Sequence, residues 1–327
     1  MVWTTLDFQP DEYNSAARLL AKTAFPINTL DALQALDVIN NWRSAHAYPL
    51  NTFQITLRNR ARKFEKGVTV AQRAKRLDSI HRKLLSKKTM RLTQMQDVAG
   101  CRAIFSKLTN VYRLAEFYKK TDFDHKFRNE KDYISNPKPD GYRSYHLVYE
   151  YVGTASTSDY SGMRVEIQLR TQLQHSWATA VEAVGLFTRQ ALKSNQGDED
   201  WLRFFALMSS AIAAIERTPC VPDTPGDKSS LVSEISTLAE NLRAKDMLRA
   251  YNTTLETLGA AKDAKYFIIE VDPDEGKVTL RRFKAKESAA ANSQYTDLES
   301  KIPEGSSRQV VLVSAADITA LKRAYPN

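Results

Sequence analysis

The segment RVEIQLR (164–170) carries the densest set of reactive side chains in this sequence. Period-two alternation puts Val165, Ile167 and Leu169 on one face of a strand and Arg164, Glu166, Gln168 and Arg170 on the other. A face that mixes a carboxylate, an amide and two guanidinium groups is costly unless it is solvated, mutually paired or liganded. Cross-strand ion pairs on a wet sheet surface would account for it, and so would a charged ligand. Asp97, where a helix hands over to the apolar run VAGCRAIF, offers a second carboxylate. One or two carboxylates together with phosphate oxygens suit Mg²⁺. Upstream, VTVAQRAKRLDSIHRKLLSKK (68–88) reads as one helix, on which Arg73, Lys75, Ser79 and Lys83 share much of a face. Such a cationic row repels itself unless phosphates or water neutralise it.

The stretch KDYISNPKPDGYRSYH (131–146) gathers Lys131, Lys138, Tyr142, Arg143 and His146 in what reads as a basic loop running into a strand. Pro137 and Pro139 stiffen its approach, and Gly141 supplies backbone freedom beside the aromatic ring. No glycine-rich phosphate loop of the G-x-x-x-x-G-K-[ST] type occurs, so a bound nucleoside triphosphate would be held by side chains. No Ser-His-Asp or Cys-His arrangement stands out, and the five histidines have no zinc spacing. Hydrolase and zinc-enzyme readings therefore have little support.

The elements that must position these groups follow from periodicity. The first ~65 residues read as helices, with Leu30, Leu33, Leu36, Ile39 and Trp42 at helical spacing and Asn28 and Thr29 as caps. QDVAGCRAIF reads as a buried strand, VYRLAEFYKK as an amphipathic helix, and SYHLVYEYVG and GMRVEIQLRT as two strands joined by a polar turn. TQLQHSWATAVEAV is the next helix. Strands interleaved with helices, plus a hairpin, predict an α+β fold: a mixed sheet with helices packed on it. Three parts are expected: residues 1–195, a helical extension over 196–262, and a small module over 263–327 with its own ββαβα order.

The 327-residue chain is 43% hydrophobic and 26% charged, as a soluble globular protein should be. Its formal charge of +9 favours polyanionic partners such as nucleotides or nucleic acid, although a solvated basic surface has the same charge. The start MVWTTLDFQPDEY lacks the basic and apolar pattern of a secretory signal, and no apolar run approaches a membrane span. Two cysteines, Cys101 and Cys220, form no disulfide framework. A cytoplasmic location without membrane partners is the expectation.

In order and spacing, four motifs resemble the synthetase domain of the RelA/SpoT family: RAKRLDSIHRK (73–83), QDVAGCRAIF (96–105), KDYISNPKPDGYRSYH (131–146) and VEIQLRTQLQHSWATAVE (165–182). The resemblance implies a nucleotidyltransferase-like fold that transfers the pyrophosphate of ATP to a ribose 3′-hydroxyl, with Mg²⁺ as cofactor. It implies that Arg73, Lys75, Ser79, Lys83, Arg102 and Lys131 serve ATP, and that Lys138, Tyr142, His146, Gln168 and Arg170 serve the acceptor. Asp97 and Glu166 would be the catalytic and metal-binding pair, with Glu166 activating the hydroxyl. The family usually has asparagine where this chain has Asp140, which bears on how the acceptor is held. The strong positive charge puts the 3′ CCA end of tRNA ahead of GDP or GTP, and an inactive RNA-binding module is the alternative from another class. No hydrolase domain precedes these motifs, so a small stand-alone synthetase is expected. The C-terminal module is similar in position to that of CapRel-like fused toxin–antitoxin proteins, in which a phage protein releases the synthetase. Those carry a Tyr-x-x-Tyr motif, whereas this chain closes on Tyr325-Pro326-Asn327.

Overall fold

The computed structural model describes residues 3–22, 29–75, 77–87, 89–187, 199–242, 244–245, 264–272, 277–303, 306 and 308–314. Three helices open it: α1 (Pro10–Leu20), α2 (Leu30–Ala45) and α3 (Ala47–Arg62). Thr29 caps α2 by accepting a hydrogen bond from the Ala32 amide, as its place before an apolar run predicts. Leu36, Ile39, Trp42, Phe53 and Leu57 are buried, whereas Leu30 and Leu33 of the same periodic set are exposed.

The run 68–88 is not a single helix but strand β1 (Thr69–Ala74) followed by α4 (Leu77–Ser86). Val68, Thr69 and Val70 are β-formers, and pairing with a neighbouring strand overrides the helical propensity of the residues after them. After α4 come β2 (Ala99–Phe105), α5 (Leu108–Lys120) and β3 (Lys126–Asp132). β3 lies where the sequence suggested no strand, so Lys131 belongs to a strand and not to the loop. β4 (Tyr145–Glu150), β5 (Arg164–Thr171) and α6 (Gln172–Phe187) fall where predicted.

α7 (Glu199–Glu216) and α8 (Lys228–Asn241) form the helical extension; with α6 they build an apolar cluster around Trp177, Trp201, Phe204 and Phe205. The C-terminal segment contributes β6 (Tyr266–Asp272), β7 (Lys277–Phe283), α9 (Ser288–Ser300) and β8 (Gln309–Ser314). The last expected helix and Tyr325 lie outside the described residues.

The eight strands among the described residues form one sheet, in the order β3-β4-β5-β2-β1-β8-β6-β7. β2 and β5 run parallel; the other pairs are antiparallel, so the sheet is mixed, as expected. The C-terminal segment keeps its own core of Ile268, Ala291, Tyr295, Val310 and Leu312. Its strands nevertheless continue the same sheet, with Gln72 of β1 opposite Ser314 of β8. The main core joins Val165, Ile167 and Leu169 of β5 to Phe53 and Leu57 of α3 and Leu114 of α5. That leaves the opposite sheet face for polar groups.

Candidate active site

Register assembles that polar face. Across the sheet, Arg73 of β1 lies beside Gly100 of β2, which lies beside Glu166 of β5. The adjacent row runs Arg102, Gln168, His146 and Lys131 over β2, β5, β4 and β3. Directly paired residues project to the same side of a sheet, so these side chains share one surface, with Arg170 two residues further along β5. Gly100 and Arg102 alternate as the half-exposed positions of β2, and the β2–β5 register runs unbroken from Ala99 to Phe105. Asp97 precedes the strand. Strict alternation from Asp97 would put it on the face opposite Arg102; because β2 starts only at Ala99 and has no bulge, that alternation does not apply to Asp97.

Asp97 is gripped from both sides. Lys75 Nζ reaches Asp97 Oδ2 and Lys83 Nζ reaches Asp97 Oδ1, each at 2.8 Å. Burial works to raise this carboxyl, but the two ammonium groups overcome it and hold it down to about 2. For Lys75, burial outweighs Asp97 and pulls the ammonium below its ordinary range. The residues predicted on one helical face thus come from two elements: Arg73 lies on β1, Lys75 just beyond it, and Ser79 and Lys83 one turn apart on α4. Lys75 and Lys83 still converge.

Glu166 is held by polar neighbours. His146 Nδ1 lies 2.9 Å from Oε1, and Gln168 Nε2 donates to Oε2 at 2.6 Å. Burial raises this carboxyl, yet the facing imidazole and these hydrogen bonds bring it below its ordinary range, against the nearby charge of Asp97. On its other side, His146 Nε2 is 2.8 Å from the Tyr142 hydroxyl. Burial lowers the His146 imidazole, but Tyr142 and Glu166 lift it well above its ordinary value. Arg170 donates to the Tyr142 hydroxyl and, at 3.0 Å, to Gln168 Oε1. Tyr142, His146, Glu166, Gln168 and Arg170 therefore form one continuous network.

The loop between β3 and β4 contributes aromatic surface. Lys138 Nζ lies 4.5 Å from the Tyr133 ring centre and 5.2 Å from that of Tyr142, and the Arg170 guanidinium lies 5.0 Å from the latter. Lys138 is therefore a cation–π partner in this state. Tyr133, which meets Tyr142 and His146 edge-on, was not singled out from sequence. It sits inside the quoted motif, two residues after Lys131. His175 of α6 lies close to Arg102 and Arg170; burial and these two charges keep it neutral far below its ordinary range.

Asp97 and Glu166 are oxygen donors of the kind that would suit Mg²⁺, although no group of three or more His, Cys, Asp or Glu comes together among the described residues. A hard cation completed by substrate phosphates suits two carboxylates. What the arrangement can do is bind a polyanion beside a carboxylate positioned to take a proton.

Residues 72–190 match the family described as a region found in RelA/SpoT proteins. The GTP pyrophosphokinase YwaC of Bacillus subtilis is 35% identical over 113 residues, 33% of this chain and 52% of that protein. The GTP pyrophosphokinase YjbM of the same organism is 37% identical over 86 residues, 26% of this chain and 39% of that protein. The chain thus spans about half the length of the first of these relatives, and less of the second. The small alarmone synthetase 1 from Bacillus subtilis, solved with its product pppGpp, overlays 52% of this chain and 89% of its own, with a TM-score of 0.45 and 24% identity. Residues 72–190 are therefore similar to the region found in RelA/SpoT proteins.

Proposed function

We propose that this protein is a pyrophosphokinase that moves the β,γ-pyrophosphate of ATP onto a purine ribonucleotide 3′-hydroxyl, with release of AMP. The observation that carries this is a pair of held carboxylates, Asp97 gripped by Lys75 and Lys83 and Glu166 cradled by His146 and Gln168, close enough for the charge of Asp97 to act on Glu166. In the transfer, the acceptor O3′ bonds to the β-phosphorus, and the bond from that phosphorus to the α,β-bridging oxygen breaks. The leaving oxygen departs with AMP. Glu166 takes the hydroxyl proton as the bond forms, its carboxylate aimed by His146 and Gln168. Arg73, Lys75, Lys83 and Arg102 bear on the triphosphate, and Lys131 lies at the far end of the same row. Ser79, one turn before Lys83, adds a hydroxyl. Mg²⁺ held by Asp97 and Glu166 would neutralise charge on the β- and γ-phosphates. Tyr142, with Lys138 and Arg170 around its ring, offers the acceptor base a surface.

The first acceptor is GDP or GTP, in keeping with relatives named GTP pyrophosphokinases. A second reading, the 3′-adenosine of tRNA, is favoured by the formal charge of +9. On that reading the enzyme is a translation-blocking toxin, with the C-terminal segment as its restraint and a phage protein as the releasing partner. Support for restraint comes from Glu299 of α9, which accepts a hydrogen bond from the Leu77 amide at the start of α4, the helix of Ser79 and Lys83. A catalytically inert RNA-binding module would have no use for both Asp97 and Glu166. Incubation with γ-labelled ATP, Mg²⁺ and GDP, GTP or deacylated tRNA decides among these. Label on guanosine nucleotide alone sinks the tRNA reading, and label on no acceptor sinks the enzyme.

A further inference from the structure

Arg143 belongs to the basic loop by sequence, but it does not face the polar surface. It is 2% exposed, and among the described residues its guanidinium donates to α7, to the segment just after it and to the loop itself. Nε donates to Ser209 Oγ of α7 at 2.9 Å. Nη1 donates to Ile134 O at 3.1 Å and Thr218 Oγ1 at 3.2 Å, and Nη2 donates to Pro219 O. These acceptors are carbonyls and hydroxyls, with no carboxylate among them, and burial outweighs the nearby Glu216 in pulling the guanidinium below its ordinary range. A planar fork with five fixed donors can join this many separate points, and an ammonium cannot.

The neighbouring residue is fixed just as tightly. Ser209 Oγ donates to Gly141 O at 2.6 Å, so one hydroxyl links both sides of Tyr142. Gly141 has φ +86°, and a Cβ there would stand 2.9 Å from both Ser209 Cβ and Trp177 Cζ2. α7 is itself tied to the end of β5, because Glu216 accepts hydrogen bonds from Thr171 Oγ1 and, at 2.7 Å, from Gln174 Nε2. β5 carries Glu166, Gln168 and Arg170. The extension therefore sets where Tyr142 stands relative to the strand of the reacting carboxylate.

We propose that Arg143, with Ser209, is the positioning residue of the acceptor site, locking loop 133–144 onto α7 so that Tyr142 and Glu166 address one acceptor nucleotide. This rests on the pyrophosphokinase reading for the identity of that ligand. In the 327-residue chain, Arg143→Lys and Ser209→Ala are assayed for KM of the acceptor, KM of ATP, and amide hydrogen exchange. The expected result for Arg143→Lys is an acceptor KM raised about tenfold with an ATP KM within about twofold, and a smaller change of the same kind for Ser209→Ala. Exchange should quicken over 133–145 and stay unchanged over 165–171. Equal rises in both KM values, or unchanged exchange over 133–145, would overturn the assignment. A wild-type chain inert towards GDP, GTP and tRNA alike would instead sink the enzymatic reading, while the exchange comparison would still decide whether the clamp holds the loop.

Discussion

Asp140 Oδ1 accepts a hydrogen bond from the backbone amide of Tyr142 at 2.9 Å. The side chain is used on its own loop, closing a turn that asparagine would close equally well with its carbonyl oxygen. The aspartate where the family usually has asparagine is thus a conformational equivalent, and it gives no reason to exclude a phosphate-bearing acceptor. Asp140→Asn should leave acceptor choice and turnover within about twofold. Asp140→Ala, which loses the turn, should raise the acceptor KM several-fold at unchanged ATP KM. Steady-state kinetics with both substrates varied checks this; a large change in Asp140→Asn would show that the carboxylate charge itself matters.

The two carboxylates should fail differently. On the proposed mechanism Glu166→Gln removes the base as well as one metal-holding oxygen, so turnover should stay down by about 10²–10⁴-fold even at saturating Mg²⁺. Asp97→Asn loses the charge that Lys75 and Lys83 grip, so the Mg²⁺ concentration for half-maximal activity should rise about tenfold. Mg²⁺ titrations of activity, with ATP binding followed separately by calorimetry, distinguish the two. Full activity in Glu166→Gln would remove it from the chemistry.

The sequence made some of this site legible and hid the rest for physical reasons. β5 declared itself because one face is packed and the other polar, so alternation survives. β3, KFRNEKD, is an edge strand with both faces largely wet, and it carries no alternation to read. β1 was masked by charge spacing: Arg73, Lys75, Ser79 and Lys83 fit a helical period by coincidence, across a strand and a helix that meet at a turn. Asp97 and Glu166 could be singled out as carboxylates near strands, but the lysine grip on one and the His146 contact on the other depend on register. The burial of Arg143 and the reach of Glu299 to Leu77 link residues tens to hundreds apart, which no local pattern encodes.

His46, where α2 meets α3, should make the fold acid-sensitive. Its Nδ1 donates to Trp42 O at 2.7 Å, while Nε2 is buried with no hydrogen-bond partner among the described residues. Burial, only partly offset by the Trp42 carbonyl, takes the imidazole down to about 4 from an ordinary 6.5. The unfolded chain therefore binds this proton first. The stability contributed by neutral His46 is complete above the unfolded value and is lost as pH falls from there towards 4. The loss between pH 7.5 and 5 should be about 2 kcal/mol. His46→Asn keeps a donor for Trp42 O but cannot titrate in this range. Urea denaturation at both pH values should show a smaller acid loss in the variant by about that amount, and equal losses would refute the assignment.

Glu299 is the residue on which the union of the C-terminal segment with the rest of the fold can be tested. It is buried, accepts from the Leu77 amide at 2.6 Å, and pairs with Arg43 Nη2 at 3.4 Å. Arg43 in turn lies 5.1 Å from the Tyr295 ring centre of the same helix, α9. Glu299→Ala strands a buried guanidinium and an orphan helix-start amide together, so it should destabilise the protein by about 3–5 kcal/mol. Glu299→Gln retains an acceptor for Leu77 and should cost less. If the segment restrains the enzyme through α4, Glu299→Gln should raise turnover while its melting temperature falls only slightly. Activity that merely tracks the stability of the two variants would make the contact an anchor and nothing more.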